Sequence, residues 1–456
     1  MNDQVTLKEK TGYFTGAVAL NIYWQLFGMF LLYFYTDIFG LAPAAVGTLF
    51  LVTRIWDTIN DPMCGALTDR TKSRWGSYRP WLLFTVVPFG IFGILCFSTP
   101  GLSYTGKLIY AYITYTLVGM GYTALDIPMS TLLGAASTDS MNRTSISVYR
   151  TAGSYIGCLI AQGCTLWLVN HLAGGNQQLG FQRTAMVYSI LTIVAVLYCF
   201  TVTRQRIFIT ERKHHLGGEL KAVVLSPAWL LLFGTMLLLL LSISVRNGSV
   251  IYYFKYYIKN ETLASLYMVL GSVACLGGTF LVNPVIRRFG KRNIFISMNI
   301  IYSAIVLCYC RIPPQNLTWI FILQVLIGIF SGPVFVLLYA MYADIADYIE
   351  WKKEIRATGL VYSSGSFSMK FGWTVGGAIS GWILAQVGFQ ANVEQTDRAL
   401  RGIVWMMSYI PAAFGLMSVL TLAFYPLSEK RVSEISEALR IRKEGSASGS
   451  KNSENL

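Results

Sequence analysis

Charge is scarce in this sequence. Only 13% of its 456 residues are Asp, Glu, Lys or Arg, about half the share of an ordinary soluble domain. That scarcity excludes a soluble enzyme, a secreted module and a nucleic-acid binder, in spite of a formal net charge of +14. Histidine is rarer still: His171, His214 and His215 are the only three. No spacing among His, Cys and acids suggests a transition-metal site, and there is no nucleophile–His–acid set or soluble sensor domain, which argues against a membrane enzyme or receptor. No resident cofactor is expected. The eight cysteines all fall inside apolar stretches, which predicts buried packing residues and not disulfides. The opening MNDQVTLKEKTGY has no basic–apolar–small pattern of a cleaved signal and reads as a short cytoplasmic lead-in.

What the chain has in excess is apolar length. Hydrophobic residues make up 54% of it, and the mean hydropathy is +0.52. A membrane helix needs ~20 apolar residues, so twelve spans need about 240, which this composition supplies. Stretches able to span lie near 12–37, 41–67, 81–99, 108–134, 146–170, 184–202, 228–257, 264–286, 293–311, 317–343, 357–386 and 402–426. The chain is therefore read as an all-α polytopic membrane protein. Its organisation is a six-helix bundle over 1–202, a middle loop over 203–227, a second six-helix bundle over 228–427, and a charged, Ser- and Gly-rich tail over 428–456 expected to be disordered. Basic residues stay preferentially on the cytoplasmic side. Placing both termini there puts 25 Lys and Arg on that side and 6 on the other, leaving 5 inside spans. Paired halves with a site between them suit alternating access.

Charges within spans are costly unless they face a cavity or a partner, so each is a functional candidate. The second span reads RIWDTINDP, and Asp57, Asn60 and Asp61 fall at i, i+3 and i+4 on one face. Two carboxylates one turn apart in a low-dielectric site need a counter-charge. A proton or a hard cation such as Na⁺, bound by oxygen ligands, supplies it; the alternative is a structural network in which Arg54 neutralises Asp57. The fourth span carries YTALDIP, where Thr123 offers a hydroxyl to an ion and Asp126 an acceptor to a substrate hydroxyl. Arg150 in the fifth has a planar fork suited to Asp126 and a substrate oxygen together, or to a plain Asp126–Arg150 pair. Lys370 sits in the Gly-rich MKFGWTVGGAISGW as a lone ammonium. Arg246 and Lys255 are weaker candidates, Lys255 being expected to snorkel to the outer interface, and Asp37 is expected simply to reach that interface.

Taken together, FYTDIFGL (34–41), VGTLFLVTRIWDTINDP (46–62), DRTKSRWGSYRPW (69–81), YTALDIP (122–128), YADIADYIEW (342–351) and MKFGWTVGGAISGW (369–382) resemble the glycoside–pentoside–hexuronide cation symporters. That branch of the major facilitator superfamily includes the melibiose permeases, and the likeness covers nearly the whole chain. It implies twelve transmembrane helices in two six-helix bundles, with Asp57, Asn60, Asp61 and Thr123 at the coupling-ion site. It also implies that Asp126, Arg150 and Lys370 contact the sugar or link it to the cation, and that Asp344 and Asp347 help close an inner gate. Two positions depart from the melibiose type. Asn21 stands where those members carry a sugar-holding Asp, and Ser130 stands where they carry a Trp.

The expected protein is a monomeric symporter of a bacterial inner membrane with no resident cofactor, in contact with membrane lipids and not with nucleic acid. It moves a glycoside, oligosaccharide or hexuronide with Na⁺ or H⁺, and a lysolipid or other amphiphile is the rival cargo on the same fold. With Asn21 for Asp and with Arg150, Arg246 and Lys370 retained, the sugar-binding set is more positive than a galactoside carrier's. Such a set is expected to tolerate a larger glycoside or an acidic sugar such as a hexuronide; uptake that is indifferent to the carboxylate, measured with matched neutral and acidic sugars, removes the second option.

Overall fold

A computed structural model gives the structure of the chain and describes residues 5–137, 140–206, 225–281, 290–353, 358–427, 430–435, 437–439 and 441. Most of the expected middle loop and the end of the tail lie outside those residues. Twelve helical stretches occupy the twelve apolar stretches read from the sequence. They are α1 (Leu7–Ile38), α2 (Pro43–Arg70), α3 (Arg79–Cys96), α4 (Tyr104–Gly134), α5 (Ser140–Leu172) and α6 (Gln177–Val202), then α7 (Pro227–Tyr257), α8 (Leu263–Leu281), α9 (Lys291–Arg311), α10 (Leu317–Lys353), α11 (Thr358–Gln386) and α12 (Asp397–Ala423). Among the described residues, nine are long and apolar enough to cross a membrane. The three others are α2, which carries Arg54, Asp57 and Asp61, the short apolar α8, and α11, which is diluted by Gly and Ser.

The chain divides into two compact units whose boundaries cut α7, α8, α11 and α12. The first comprises Met1–Glu211, Asn247–Val269 and Gly377–Ile403; the second comprises Arg212–Arg246, Leu270–Gly376 and Val404–Leu456. In the first, α1 packs most extensively against α5, because two glycines one turn apart let the backbones meet. A Cβ added at Gly153 would lie 2.2 Å from the Phe14 carbonyl oxygen, and one at Gly157 2.4 Å from that of Val18. Aromatic rings fill the interior beside this seam, with Phe27, Phe34 and Phe181 gathered around Phe97.

In the second unit, Gly372 and Gly376 of α11 play the same part against α7. A Cβ at Gly372 would meet the Leu240 Cβ at 2.8 Å, and one at Gly376 the Ser244 Cβ at 2.5 Å. The core of that unit is built on Trp229, Leu232, Leu337, Met341 and Ile345. Ile435 and Leu439 are buried in it as well. Within the tail expected to be disordered, residues 430–435 and 437–439 are instead helical, and Val432, Ile435 and Leu439 recur at helical spacing to give that segment an apolar face; residues 442–456 lie outside the described residues.

The correspondence between the halves extends to their helix ends. Both α1 and α7 finish in a π-helical turn, Phe34–Ile38 and Tyr253–Tyr257. Phe39 N–H donates to the Phe34 carbonyl, as Ile258 does to Tyr253, and Leu41 to Tyr35, as Asn260 does to Phe254. A shift of 219 residues relates each pair, and it also carries Gly40 (φ 81°) onto Lys259 (φ 61°) and Gly153 and Gly157 onto Gly372 and Gly376. The expectation of uniformly buried cysteines is corrected too: none of the eight is in a disulfide, but Cys164 and Cys308 are exposed.

The α1–α5 seam yields a test. Gly153→Ala has no room without parting the two backbones, and overpacking of this kind costs about 1–3 kcal/mol. Gly234→Ala is the control, since a Cβ there meets nothing within 4 Å. A lowered melting temperature for purified Gly153→Ala, with Gly234→Ala at the parent value, is the expected result; equal melting of all three contradicts the packing account.

Candidate functional site

The polar residues of the first unit converge from four helices. On α2, the exposed Val52, Ile55, Trp56, Ile59 and Met63 form an outward apolar stripe, which leaves Arg54, Asp57, Asn60 and Asp61 on the other faces. Asp57 accepts a hydrogen bond from Arg54 Nη1 at 2.9 Å, so the pairing considered as a structural alternative is present. Asp57 also reaches α4, where a Cβ at Gly119 would come within 3.5 Å of its Oδ1. One turn further along both helices, the Thr123 hydroxyl donates to Asp61 Oδ1 at 2.8 Å. The two acids of α2 thus meet two successive turns of α4, first a bare glycine and then a hydroxyl. Asn60 is 8% exposed, and its side-chain Nδ2 has no hydrogen-bond partner among the described residues.

Prolines loosen both helices at this level. Pro62 and Pro128 lie inside α2 and α4. Having no N–H, they cannot donate to the carbonyls four residues earlier, those of Thr58 and Ala124. Backbone of this kind at membrane depth is tolerated where it lines a cavity or is covered by protein.

The second cluster adjoins the first along α4. Arg150 Nη2 donates to Asp126 Oδ1 at 3.1 Å and to Ser130 Oγ at 2.8 Å. Ser130, where the melibiose type has Trp, therefore anchors the guanidinium. Asn21 on α1 donates to Ser154 Oγ at 2.9 Å, and Ser154 donates to the Arg150 carbonyl at 3.2 Å, so α1, α4 and α5 share one polar chain. The side chains of Asp57, Asp126 and Arg150 keep 22%, 27% and 26% of their surface exposed, against 8% for Arg54. The first three border accessible space; Arg54 is a buried support.

Arg246 and Lys370 belong to the second unit. Arg246 is 4% exposed, donates to Gln324 Oε1 at 2.6 Å and lies over the Tyr309 ring. Lys370 is half-buried on α11. Asp344 is tied to Lys291 at the start of α9 at 2.5 Å. Among the described residues no three His, Cys, Asp or Glu side chains gather as a metal site.

A cluster that sequence reasoning missed closes the far end of α1. Lys255 Nζ donates to Asp37 Oδ1 at 2.9 Å, Tyr33 Oη at 3.0 Å and Asn392 Oδ1 at 2.9 Å. Tyr256 donates to the same carboxylate oxygen, and Thr36 donates to the other at 2.8 Å. The Asp37 side chain has no exposed surface. The expectations that Asp37 reaches the interface and that Lys255 snorkels are both corrected: each finds its partner inside the protein, where pairing offsets desolvation. Nearby, burial pushes the Glu261 carboxyl above its ordinary value, opposed by Lys255 and by a hydrogen bond with Tyr33. Neutral aromatics around both ends hid the pair, since Asp37 and Lys255 are 218 residues apart.

Comparison with known proteins places this architecture. The family model described as MFS/sugar transport protein matches residues 12–429. The inner membrane symporter YicJ of Escherichia coli K12 is 32% identical over 440 residues, covering 96% of each chain. The isoprimeverose transporter of Lactiplantibacillus pentosus is 32% identical over 434 residues, covering 94% of this chain and 90% of that one. Among solved structures, a mutant of the nucleoside transporter NupG superposes with a TM-score of 0.70 at 15% identity, covering 92% of this chain and all of that one; this likeness speaks for the fold alone. The fold and its membrane-embedded charges define a multi-pass transporter of the major facilitator type, not an enzyme. The chain belongs to the MFS/sugar transport protein family, in keeping with the resemblance to the glycoside–pentoside–hexuronide symporters read from its motifs.

Removing one member of a buried ion pair costs about 3–5 kcal/mol, because the other charge is left uncompensated. Asp37→Asn and Lys255→Met are each expected to lower the melting temperature of the purified carrier. The double variant should lose less than the two single losses added together. Strict additivity in that thermodynamic cycle contradicts the pairing.

Proposed function

We propose that this chain is a cation-coupled symporter that brings a glycoside, oligosaccharide or hexuronide into the cell with Na⁺ or H⁺ by alternating access. Its place is a bacterial inner membrane with both termini cytoplasmic, which the 25-to-6 division of basic residues supports. The observation that carries the coupling is the pairing of Asp61 with Thr123, one turn before Asp126 on the same helix.

In this reading the cation enters between α2 and α4. Asp57, Asp61, the Asn60 amide and the Thr123 hydroxyl are oxygen donors of the kind a hard ion takes. Within the apolar span 41–67, α2 carries one base, Arg54, against two acids, Asp57 and Asp61, and a bound cation completes the balance. With H⁺ as the coupling ion, one carboxyl takes the proton instead.

The sugar occupies the neighbouring cluster. Asp126 accepts from a hydroxyl, and Arg150 donates with the part of its fork not engaged by Asp126 and Ser130. Asn21 donates and accepts without adding charge. Lys370 supplies a donor from α11, while Arg246 is read as a support within its own unit, fixed by Gln324. Because Thr123 and Asp126 share one loosened turn, filling the ion site orders the sugar-binding turn. By linkage, sugar then raises cation affinity by the same factor.

Proteoliposomes with an imposed Na⁺ or H⁺ gradient test this. Asp57→Cys and Asp61→Cys are expected to lose accumulation against a gradient while keeping some downhill sugar exchange. A hydrogen bond to a charged group is worth about 1.5–3 kcal/mol, so Thr123→Ala is expected to weaken the apparent cation affinity by at least about tenfold. Full gradient-driven uptake by both Cys variants overturns the ion-site assignment. Transport of fluorescent lysolipid with no sugar uptake replaces the cargo.

A further inference from the structure

Away from the polar clusters, the first unit carries a groove of about 560 Å³ between the end of α5 and the start of α8. Its walls include Trp167, Leu266 and Val269, and Trp167 and Leu266 are 57% and 51% exposed. Its floor is set by Gly163, where an added Cβ would come within 3.3 Å of Val269 Cγ2. Nothing in the sugar or cation reading uses these residues.

The chemistry of the groove changes along its length. Below, it is aliphatic and aromatic. At its mouth stand Asn170, His171, Thr262 and Ser265, with the His171 ring stacked on Trp167 at 4.4 Å. The Ser265 hydroxyl has no hydrogen-bond partner among the described residues. One residue beyond His171, the Leu172 carbonyl accepts from Arg183 Nη1 at 2.8 Å, which fixes a guanidinium beside the mouth. No acid lines the groove. Glu261, next to Thr262 in the chain, is engaged with Tyr33 and feels Lys255.

We propose that this groove is a binding site for a membrane phospholipid, with one acyl chain along Trp167, Leu266 and Val269 and the phosphate at the mouth. Two arguments select that occupant. Large exposed apolar residues on membrane helices face acyl chains, and Trp at the end of a span marks headgroup level. Charge complementarity does the rest: an anionic phosphate meets Arg183, neutral donors from Asn170, Thr262 and Ser265, and no opposing carboxylate. A sugar would leave the aliphatic walls unmatched.

Given the proposed orientation, the lipid comes from the outer leaflet. It bridges a helix of the first half to one of the second, at the same end of the helices as the Asp37–Lys255 cluster. The bound lipid therefore fills the groove between α5 and α8.

The test uses purified full-length carrier labelled with phosphatidylethanolamine bearing a photoreactive group on its acyl chain. Label is expected to concentrate on peptides containing 163–171 and 262–269. Leu266→Trp, which fills the groove, is expected to reduce that labelling by about tenfold, while a size-exclusion profile and sugar binding match the parent. A His171→Ala/Ser265→Ala variant is expected to lose labelling by the phospholipid but not by a photoreactive alkane. Label spread evenly over the exposed helix faces, persistence in Leu266→Trp, or displacement by free phosphate or by the transported sugar each overturns the proposal.

Discussion

Holding Asp57 and Asp61 on one face of a membrane helix is expensive, and much of the first unit is arranged around that expense. Arg54 sits one turn back with its charge buried against Asp57. Asp57 lies against α4 at Gly119, and Thr123 turns its hydroxyl onto Asp61. The Thr123 hydroxyl is more than packing, since it donates to Asp61. The two helices are loosened by Pro62 and Pro128 at the same level. In the proposed reading such a site responds to the arrival of one positive charge, and along α4 it adjoins the Asp126–Arg150 pair.

The internal repeat separates scaffold from function. A shift of 219 residues superimposes the π-helical ends of α1 and α7, the left-handed residues that follow them and the glycine pairs of α5 and α11. These features solve the same packing problem twice. The acids are not repeated: the same shift takes Asp57 and Asp61 to Leu276 and Phe280. The proposed ion site thus draws on one half alone, while the other offers Lys370 and a more apolar α8.

Legibility followed rarity. Membrane spans are long and apolar enough to stand out, and charges within them are so few that RIWDTINDP and YTALDIP announce themselves; the contact of Asp61 with Thr123 joins the very residues those motifs mark. The outer cluster was not legible, because Asp37 and Lys255 lie at span ends, where a charge is cheap, and nothing local reveals that they face one another. The role of Ser130 was hidden for a similar reason: its absence of bulk was visible, but its bond to Arg150 depends on how α4 meets α5. The short helix after 430 was masked by the polar residues surrounding Val432, Ile435 and Leu439. Gly163 read as one glycine among many until α8 was placed beside it.

Calorimetric titration of the purified carrier with its sugar, across a range of Na⁺ concentrations and at pH values on either side of the carboxylate range, addresses the coupling without a membrane gradient. The account predicts that sugar affinity rises with Na⁺ or with acidity, and that cation affinity measured with saturating sugar rises by an equal factor. Sugar affinity that stays constant across all of these conditions would contradict it.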